Sequence, residues 1–300
     1  MELRELTAAD LPALAELCRR SLDEPLDQPL LRRLFLGDPG FTPAYHLGLE
    51  QGGALAGAIL GSLRERQAGR VGGARLLVVA PELRRRGLGG RLLGELERRM
   101  AADGLAELHM GGLAPNYVWP GLEVQRYTPA YCFLERHGYA RSGDAVNMEL
   151  ELAARDWAAE LVALPLRDGW AVRRATPADR DLATTWVRER WSPPWLFETE
   201  LAFAAPQPTI MLALRDGEVG GFACWDVSGL WGTFGPTGTA EELRGQGLGK
   251  ALLLACFAAM RAQGYARAEI GWTGPLAFYA RAADARMGRI CWFMTKRLAG

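Results

Sequence analysis

The 300-residue sequence predicts an α/β (α+β layered) fold, a mixed and mostly antiparallel sheet flanked by helices, built twice in tandem. Three observations lead there. Apolar residues make up 49% of the chain, enough for substantial cores. Short β-type runs bounded by glycine alternate with helical stretches. Much of the first half is also said again, in the same order, in the second.

The repetition begins at the N-terminus. "LRELTAADLPALAELC" is echoed by "VRRATPADRDLATTWV", with Arg4, Thr7 and Asp10 recurring 169 positions on as Arg173, Thr176 and Asp179. Each copy runs a short strand into Thr-x-x-Asp, an N-cap signal in which a side-chain oxygen takes an orphan backbone N–H. "GGALAGAIL" from Gly52 matches "DGEVGGFACW" from Asp216, a turn and then a strand entered through glycine. Two glycine-rich helix openings follow, with Arg84 and Arg244 160 positions apart, and then "YCFLERHGY" at Tyr131 and "LAFYARAADA" at Leu276 as late helices.

Predicted strands are 46–49, 54–63, 75–79 and 106–110 in the first half, and 210–215, 220–227, 230–234, 268–272 and 289–295 in the second. The joint is expected in 152–170, whose first part reads as a short helix and whose Pro165 and Asp168-Gly169 read as linker and turn. This gives domains 1–150 and 170–300 with a linker at 151–169.

Lys plus Arg equals Asp plus Glu at 35 each, which speaks against a general binder of nucleic acid or anionic membrane. The five cysteines, Cys18, Cys132, Cys224, Cys256 and Cys291, are scattered and read as reduced thiols. The charged N-terminus does not look like a signal peptide, and no apolar run reaches transmembrane length, so a cytoplasmic location is expected. The three histidines, His46, His109 and His137, have no metal-ligand spacing, and no Gly-x-Ser-x-Gly is present. No metal is expected, and His109 alone is a histidine to check for catalysis.

The glycine openings carry the most chemistry. Both copies read Arg-x-x-Gly-x-Gly after a strand: Arg84, Gly87 and Gly89, then Arg244, Gly247 and Gly249. At a helix start several backbone N–H groups point outward unpaired and the positive end of the helix dipole lies there. Glycines remove the side chains that would keep a phosphate away, so a pyrophosphate fits. Neither copy has the Lys-Ser/Thr of a P-loop or a full dinucleotide fingerprint. The plainer alternative is close helix-to-sheet packing.

This motif resembles the acetyl-coenzyme A binding motif of the GCN5-related N-acetyltransferase (GNAT) superfamily, and the resemblance covers nearly the whole chain, one domain per half. The sequence is similar to tandem members of that superfamily, the group that also contains mycothiol synthase. The resemblance implies two acyl-CoA N-acyltransferase folds and acetyl-CoA as the cofactor. It implies that the amides of Leu243, Arg244, Gly245, Gln246, Gly247, Leu248, Gly249 and Lys250 cradle the pyrophosphate. The strand before, Phe234 to Thr239 with Thr237, would pair with the pantetheine arm. In the first half Arg84, Arg85, Arg86, Gly87, Leu88, Gly89 and Gly90, with Leu77, Val78 and Val79, would do the same if that half still binds.

Acetyl transfer needs a neutral amine, orientation, a donor to the carbonyl oxygen and a proton for the departing thiolate. "PLAFYARAA" resembles the family's Phe-Tyr segment, which maps the general acid to Tyr279; a tyrosine packed in the core is the alternative. The aligned first-half position is Leu134, which has no proton to give, unless Tyr131 reaches in from another angle. The first half keeps the family's Gly-aromatic ending as Gly138-Tyr139, whereas the second has Ala283-Asp284. Asp226 and Glu269, on strands flanking the expected cleft, are the candidate bases; Glu241 and Glu242 read as helix-start charges.

Trp225, Trp231, Trp272, Trp191 and Trp195 are either core or the wall of a channel for an apolar or aromatic acceptor. The segment from Gly111 to Cys132 has no counterpart in the second half and is a binding loop or a cover. The expected activity is transfer of acetyl from acetyl-CoA to a primary amine of a small molecule by a monomer or homodimer, without nucleic acid or membrane. The alternatives are a non-catalytic acetyl-CoA-binding or sensing protein and a protein acetyltransferase. A nucleic-acid binder using Arg84 to Arg86 and Arg98-Arg99 is weaker.

Overall fold

A computed structural model describes residues 1–66, 69–166, 169–228 and 232–298. Asp168, Leu230 and Trp231, named above, lie outside them. The chain divides into two compact units: Met1–Ala145 with Ile290–Gly300, and Val146–Arg289.

Unit 1 opens with β1 (Glu2–Glu5), α1 (Leu11–Ser21) and α2 (Gln28–Phe35). It continues through β2 (His46–Gln51), β3 (Ala54–Arg66), β4 (Gly69–Val79), α3 (Leu88–Ala102), β5 (Glu107–Met110), β6 (Leu122–Glu123), α4 (Thr128–Arg136) and the first part of β7 (Ala140–Glu151). Unit 2 takes the rest of β7, then α5 (Trp157–Ala163), β8 (Ala171–Arg174), α6 (Arg180–Arg190), α7 (Pro193–Ala204), β9 (Ile210–Arg215) and β10 (Glu218–Trp225). β11 (Thr233–Thr239), α8 (Leu248–Ala262), β12 (Arg267–Ile270), α9 (Leu276–Ala283) and β13 (Arg286–Arg297) follow. β13 begins in unit 2 and ends in unit 1.

The sheet of unit 1 runs β1-β2-β3-β4-β5-β13-β7, and that of unit 2 runs β8-β9-β10-β11-β12-β7-β13. β4–β5 and β11–β12 are parallel, while β1–β2, β2–β3, β3–β4, β8–β9, β9–β10 and β10–β11 are antiparallel. Each repeat therefore completes its sheet with the last strand of the other repeat: β13 pairs β5 and β7 pairs β12. Met294 of β13 faces Met110 of β5 and is 1% exposed in the unit 1 core. Met148 of β7 faces Ile270 of β12 in the unit 2 core.

This corrects the contiguous division at 150 and 170. Residues 151–169 include α5 and a short 3-10 turn, with Leu152 and Trp157 buried in the unit 2 core, so the expected linker is packed structure.

The repeated openings fold as their sequence dictates. Thr7 and Thr176 each form a capping box with the aspartate three residues on, and Asp10 and Asp179 are held by Arg4 at 2.6 Å and Arg173 at 2.8 Å. The glycine-entered helices lie close on their sheets. A Cβ at Gly61 would stand 2.9 Å from Leu96 of α3, and one at Gly221 3.0 Å from Leu252 of α8.

Unit 1 buries a polar cluster on its other face. Asp38 takes Arg64 at 2.7 Å and Asn116 at 3.1 Å and lies 3.4 Å from Arg75, and all four side chains are buried. His46, fully buried, stacks on Phe41 at 4.9 Å and contacts Phe35 at 4.5 Å, and neither ring nitrogen has a partner among the described residues. Burial pushes its pKa down to about 4.

Two outcomes follow from this arrangement. Met294→Ala should cost about 2–5 kcal/mol, with the lost amide protection in hydrogen exchange falling on β5 and α3; loss confined to α8, β11 and β12 would contradict the strand exchange. His46 also makes unit 1 acid-sensitive. The unfolded chain protonates this histidine below about pH 6.5 but the folded one only near 4, so stability present above 6.5 drains away as pH falls through that window, on the order of 3 kcal/mol in total. His46→Leu should flatten that acid limb in unfolding curves of unit 1, and an unchanged slope would exclude His46 as its source.

Candidate active site

Each glycine opening makes a bare helix start. In unit 2 the Arg244 amide bonds back to Glu241 O at 3.2 Å, and the first helical bond is Ala251 N to Gly247 O at 2.9 Å. The amides of residues 245–250 between them have no partner among the described residues, and no side chain caps the helix. Gly245 (φ 78°) and Gly247 (φ 90°) occupy the left-handed region, and a Cβ on either would project into open space. The result is a run of six unpartnered N–H groups at the positive end of α8, a donor set suited to an anion such as a diphosphate.

Around it, Leu248 is buried in the core and contributes only its amide, whereas Arg244 is exposed and loosely paired with Glu241 at 3.5 Å. Gln246 donates to Glu242 O at 3.3 Å, and Leu243 packs into the core beside the turn. Thr239 Oγ1 and the Phe278 ring border Gly249, at 3.5 and 3.9 Å from where its Cβ would be.

Beside the cradle the sheet opens into a wedge. β11 and β12 pair through Thr233↔Glu269 and Phe234↔Ile270 and then part. At that point β11 carries an extra residue, Trp225 of β10 facing Phe234 but Ala223 facing Thr237, a bulge at Gly235 (φ 126°) and Pro236. The backbone of 235–239 thus lines a gap leading to the cradle. Thr237 Oγ1 is bonded to Phe222 O at 3.1 Å, which leaves that residue's main chain as its contribution.

Tyr279 lies at the apex of this wedge. Its ring stands edge-on to Phe234, 6.1 Å and 75° away, and to Phe278 at 5.0 Å. It is 5% exposed, and its hydroxyl has no hydrogen-bond partner among the described residues. Burial pushes its pKa above the ordinary tyrosine value, so the phenol stays protonated.

The two expected bases are placed otherwise. Asp226 (φ 58°) is held by the Gly232 amide at 2.8 Å and by the Tyr265 hydroxyl, beside the C-terminal end of α8 and so away from the cradle at its start. Glu269 takes Arg289 at 3.0 Å and the amide of Asn147. Both carboxylates are thus engaged in hydrogen bonds within unit 2. Asn147, buried on β7, also accepts the Trp272 amide at 2.8 Å and so fixes the turn after β12. No sequence signal pointed to it, because β7 precedes the second repeat.

On the α6–α7 face, Trp191 stacks on Trp195 at 4.6 Å, Trp186 and Trp195 contact Phe222, and a Cβ on Gly238 would meet Trp191 at 2.6 Å. These indoles wall the sheet next to the wedge. Trp225 is instead fully buried, under the Arg174 guanidinium at 5.0 Å.

Unit 1 repeats the cradle but alters the wedge. The amides of residues 85–90 lack partners among the described residues, and Gly87 (φ 81°) matches Gly247. Arg85 (φ 61°) stands in the left-handed position that Gly245 fills in unit 2, and Arg86 is exposed. Leu88 is core, Gly89 lies against Phe133, and a Cβ on Gly90 would meet His137 at 2.9 Å. Arg84 turns back onto Val79 O at 3.2 Å and Ser21 O at 2.9 Å, taking a strand carbonyl expected to meet the pantetheine; Val78 is buried and Leu77 packs on the core.

The bulge of β4 is Arg75, nine residues before its motif arginine as Gly235 is before Arg244. Arg75 donates to Leu113 O and to Pro115 O (3.0 Å), and Arg64 to Ala114 O (3.2 Å) and Pro115 O (2.8 Å). The segment from Gly111 is thereby clamped over the β4–β5 wedge as a cover. Leu134 is buried where Tyr279 sits in unit 2, and Tyr131 donates to Glu135 at 2.9 Å on the surface of its own helix. His109 is fixed between Glu107 at 3.1 Å and Thr295 at 3.0 Å, and Tyr139 donates to Glu97 at 2.9 Å.

Comparison with known proteins agrees with this geometry. The sequence matches the acetyltransferase (GNAT) family twice, over residues 9–117 and 177–283. A search of curated proteins returns no match. Among solved structures, a tandem GNAT protein from the clavulanic acid biosynthesis pathway is similar at TM-score 0.73 and 18% identity, with 100% of this chain and 99% of that one covered. A GCN5-related N-acetyltransferase from Sphaerobacter thermophilus gives 0.68 and 19%, covering 100% and 96%. The GCN5-related glucosamine N-acetyltransferase region of a fungal multi-domain GH3 β-N-acetylglucosaminidase gives 0.79 and 16%; 98% of this chain is covered but only 38% of the fungal one. With two family matches, two bare cradles and two wedges of parallel strands, the chain belongs to the acetyltransferase (GNAT) family and carries its domain in tandem.

Proposed function

We propose that unit 2 is an acetyl-CoA-dependent N-acetyltransferase that acetylates a primary amine of a small molecule by direct attack. The observation that carries this reading is Tyr279: a protonated, apolar-buried phenol with no competing partner among the described residues, at the apex of a wedge that leads to a free phosphate cradle. Acetyl-CoA, when bound, supplies an activated acyl group on a good leaving sulfur. The amides of 245–250 and the start of α8 hold its diphosphate, and the main chain of 235–239 aligns the arm. As the amine nitrogen bonds to the acyl carbon and the carbon–sulfur bond breaks, Tyr279 gives its proton to the sulfur, and the proton that the nitrogen sheds to become an amide passes through water to restore the phenol. The indole wall of Trp191 and Trp195 favours an acceptor with an apolar or aromatic body.

Unit 1 has Leu134 in place of the acid and Arg75 with its loop in the wedge, which supports a reading in which it does not transfer acetyl. The free thiols, four of five buried, are in keeping with a cytoplasmic location.

Coenzyme A release should be measured with acetyl-CoA and a panel of small amines, alongside acetyl-CoA binding. Tyr279→Phe is expected to lower kcat by about 10²–10⁴-fold with acetyl-CoA affinity unchanged; full activity in that variant contradicts the assignment, and binding without turnover by wild-type protein would favour a sensor. Because burial raises the phenol's pKa, the acid form persists and kcat should not fall between about pH 8 and 10, where an ordinary tyrosine begins to ionise. A decline there would mean an unperturbed acid. Gly247→Val, at φ 90°, should abolish acetyl-CoA-dependent turnover, whereas Gly87→Val should leave it intact if transfer belongs to unit 2 alone.

A further inference from the structure

Unit 2 holds a second cavity, of about 310 Å³, lined by Arg174, Pro206, Gln207, Asp226, Gln263 and Tyr265. It lies at the C-terminal end of α8, so the 15 residues of that helix, about 22 Å, separate it from the phosphate cradle. It is independent of the transferase chemistry.

The cavity has two opposite charges on its wall that do not meet. Arg174 is held by Pro208 O at 2.7 Å and, through Nη1, by the neutral Gln207 Oε1 at 3.1 Å, and lies over Trp225, while its Nη2 is buried away from the cavity without a partner. Among the described residues no carboxylate lies within 4.0 Å of it. Asp226 accepts from the Gly232 and Thr233 amides and the Tyr265 hydroxyl, all neutral donors, and no cation among the described residues lies within 4.0 Å. Burial pushes the Arg174 guanidinium down and the Asp226 carboxyl up, as expected of groups desolvated without a counter-ion. Asp226 is also held at φ 58°, a strained backbone for a residue with a side chain. Gln263 Oε1 accepts the Trp225 indole N–H at 3.1 Å, which leaves its amide NH₂ as a further donor on the same wall.

A ligand that completes both charges carries an anion and a cation close together. We propose that this cavity is a binding site for a small amino acid, its carboxylate on Arg174 with the Gln263 amide and its ammonium on Asp226. The carboxylate replaces the neutral Gln207 contact with a charge-assisted one, and the ammonium supplies the counter-ion that Tyr265 and Gly232 do not. Burying an ion is costly without a partner, so one zwitterion relieves two penalties where a simple anion or amine relieves one.

The test is calorimetric titration of the full-length protein with glycine, β-alanine and 4-aminobutanoate, which step the charge separation, and with acetate and methylamine as halves. At least one amino acid should bind at least about tenfold more tightly than either half. Arg174→Met and Asp226→Asn should each weaken it by a similar factor, and Arg174→Lys, which keeps the charge, by less. Acetyl-CoA affinity should be unchanged in Arg174→Met, which checks that the variant is folded. Absence of binding by all three amino acids at millimolar concentration, or binding that survives both substitutions, overturns the proposal.

Discussion

Everything in unit 2 that bears on function depends on six main-chain N–H groups left unpaired at the start of α8. Unpaired donors at a helix start carry a desolvation cost unless water or an anion meets them, and side chains normally cap them. Here the capping position is glycine in a left-handed conformation, which offers no side chain and turns the amides outward together. The parallel pairing of β11 with β12 stops at Phe234, which leaves strand edges that no neighbour has taken and that the proposed coenzyme arm would need.

The two units show what happens when the same scaffold keeps the cradle and loses the path. In unit 1 the bulge residue is arginine, and a guanidinium buried there must be satisfied. Asp38 and the carbonyls of the following loop do so, closing the wedge with a fixed network. In unit 2 the bulge is glycine and proline, with no polar side chain to satisfy, and the wedge stays free of such a clamp among the described residues. In unit 1 the closure takes Arg75 and Arg64 together with Asp38 and the carbonyls of residues 113–115.

Much of this was legible in the sequence. Repetition of Arg4, Thr7 and Asp10 as Arg173, Thr176 and Asp179, and of Arg84, Gly87 and Gly89 as Arg244, Gly247 and Gly249, marks local structures whose geometry is set by a few neighbouring residues. Capping boxes and glycine turns are of that kind. The exchange of β7 and β13 is not, because strand pairing is non-local and Met294 would satisfy either sheet by its hydrophobicity alone. For the same reason Asn147 went unseen, as did the partners that Asp226 and Glu269 take from distant elements. Arg75 was more accessible, since its spacing from Arg84 equals that of Gly235 from Arg244.

The most direct measurement is an amide NMR titration of glycine-labelled protein with coenzyme A. The amides of Gly245, Gly247 and Gly249 should shift together and saturate with one dissociation constant, as expected of donors moving from water to a shared diphosphate. If those three resonances stayed still while coenzyme A bound elsewhere, the cradle at the start of α8 would not be the cofactor site, and the transferase reading of unit 2 would lose its foundation.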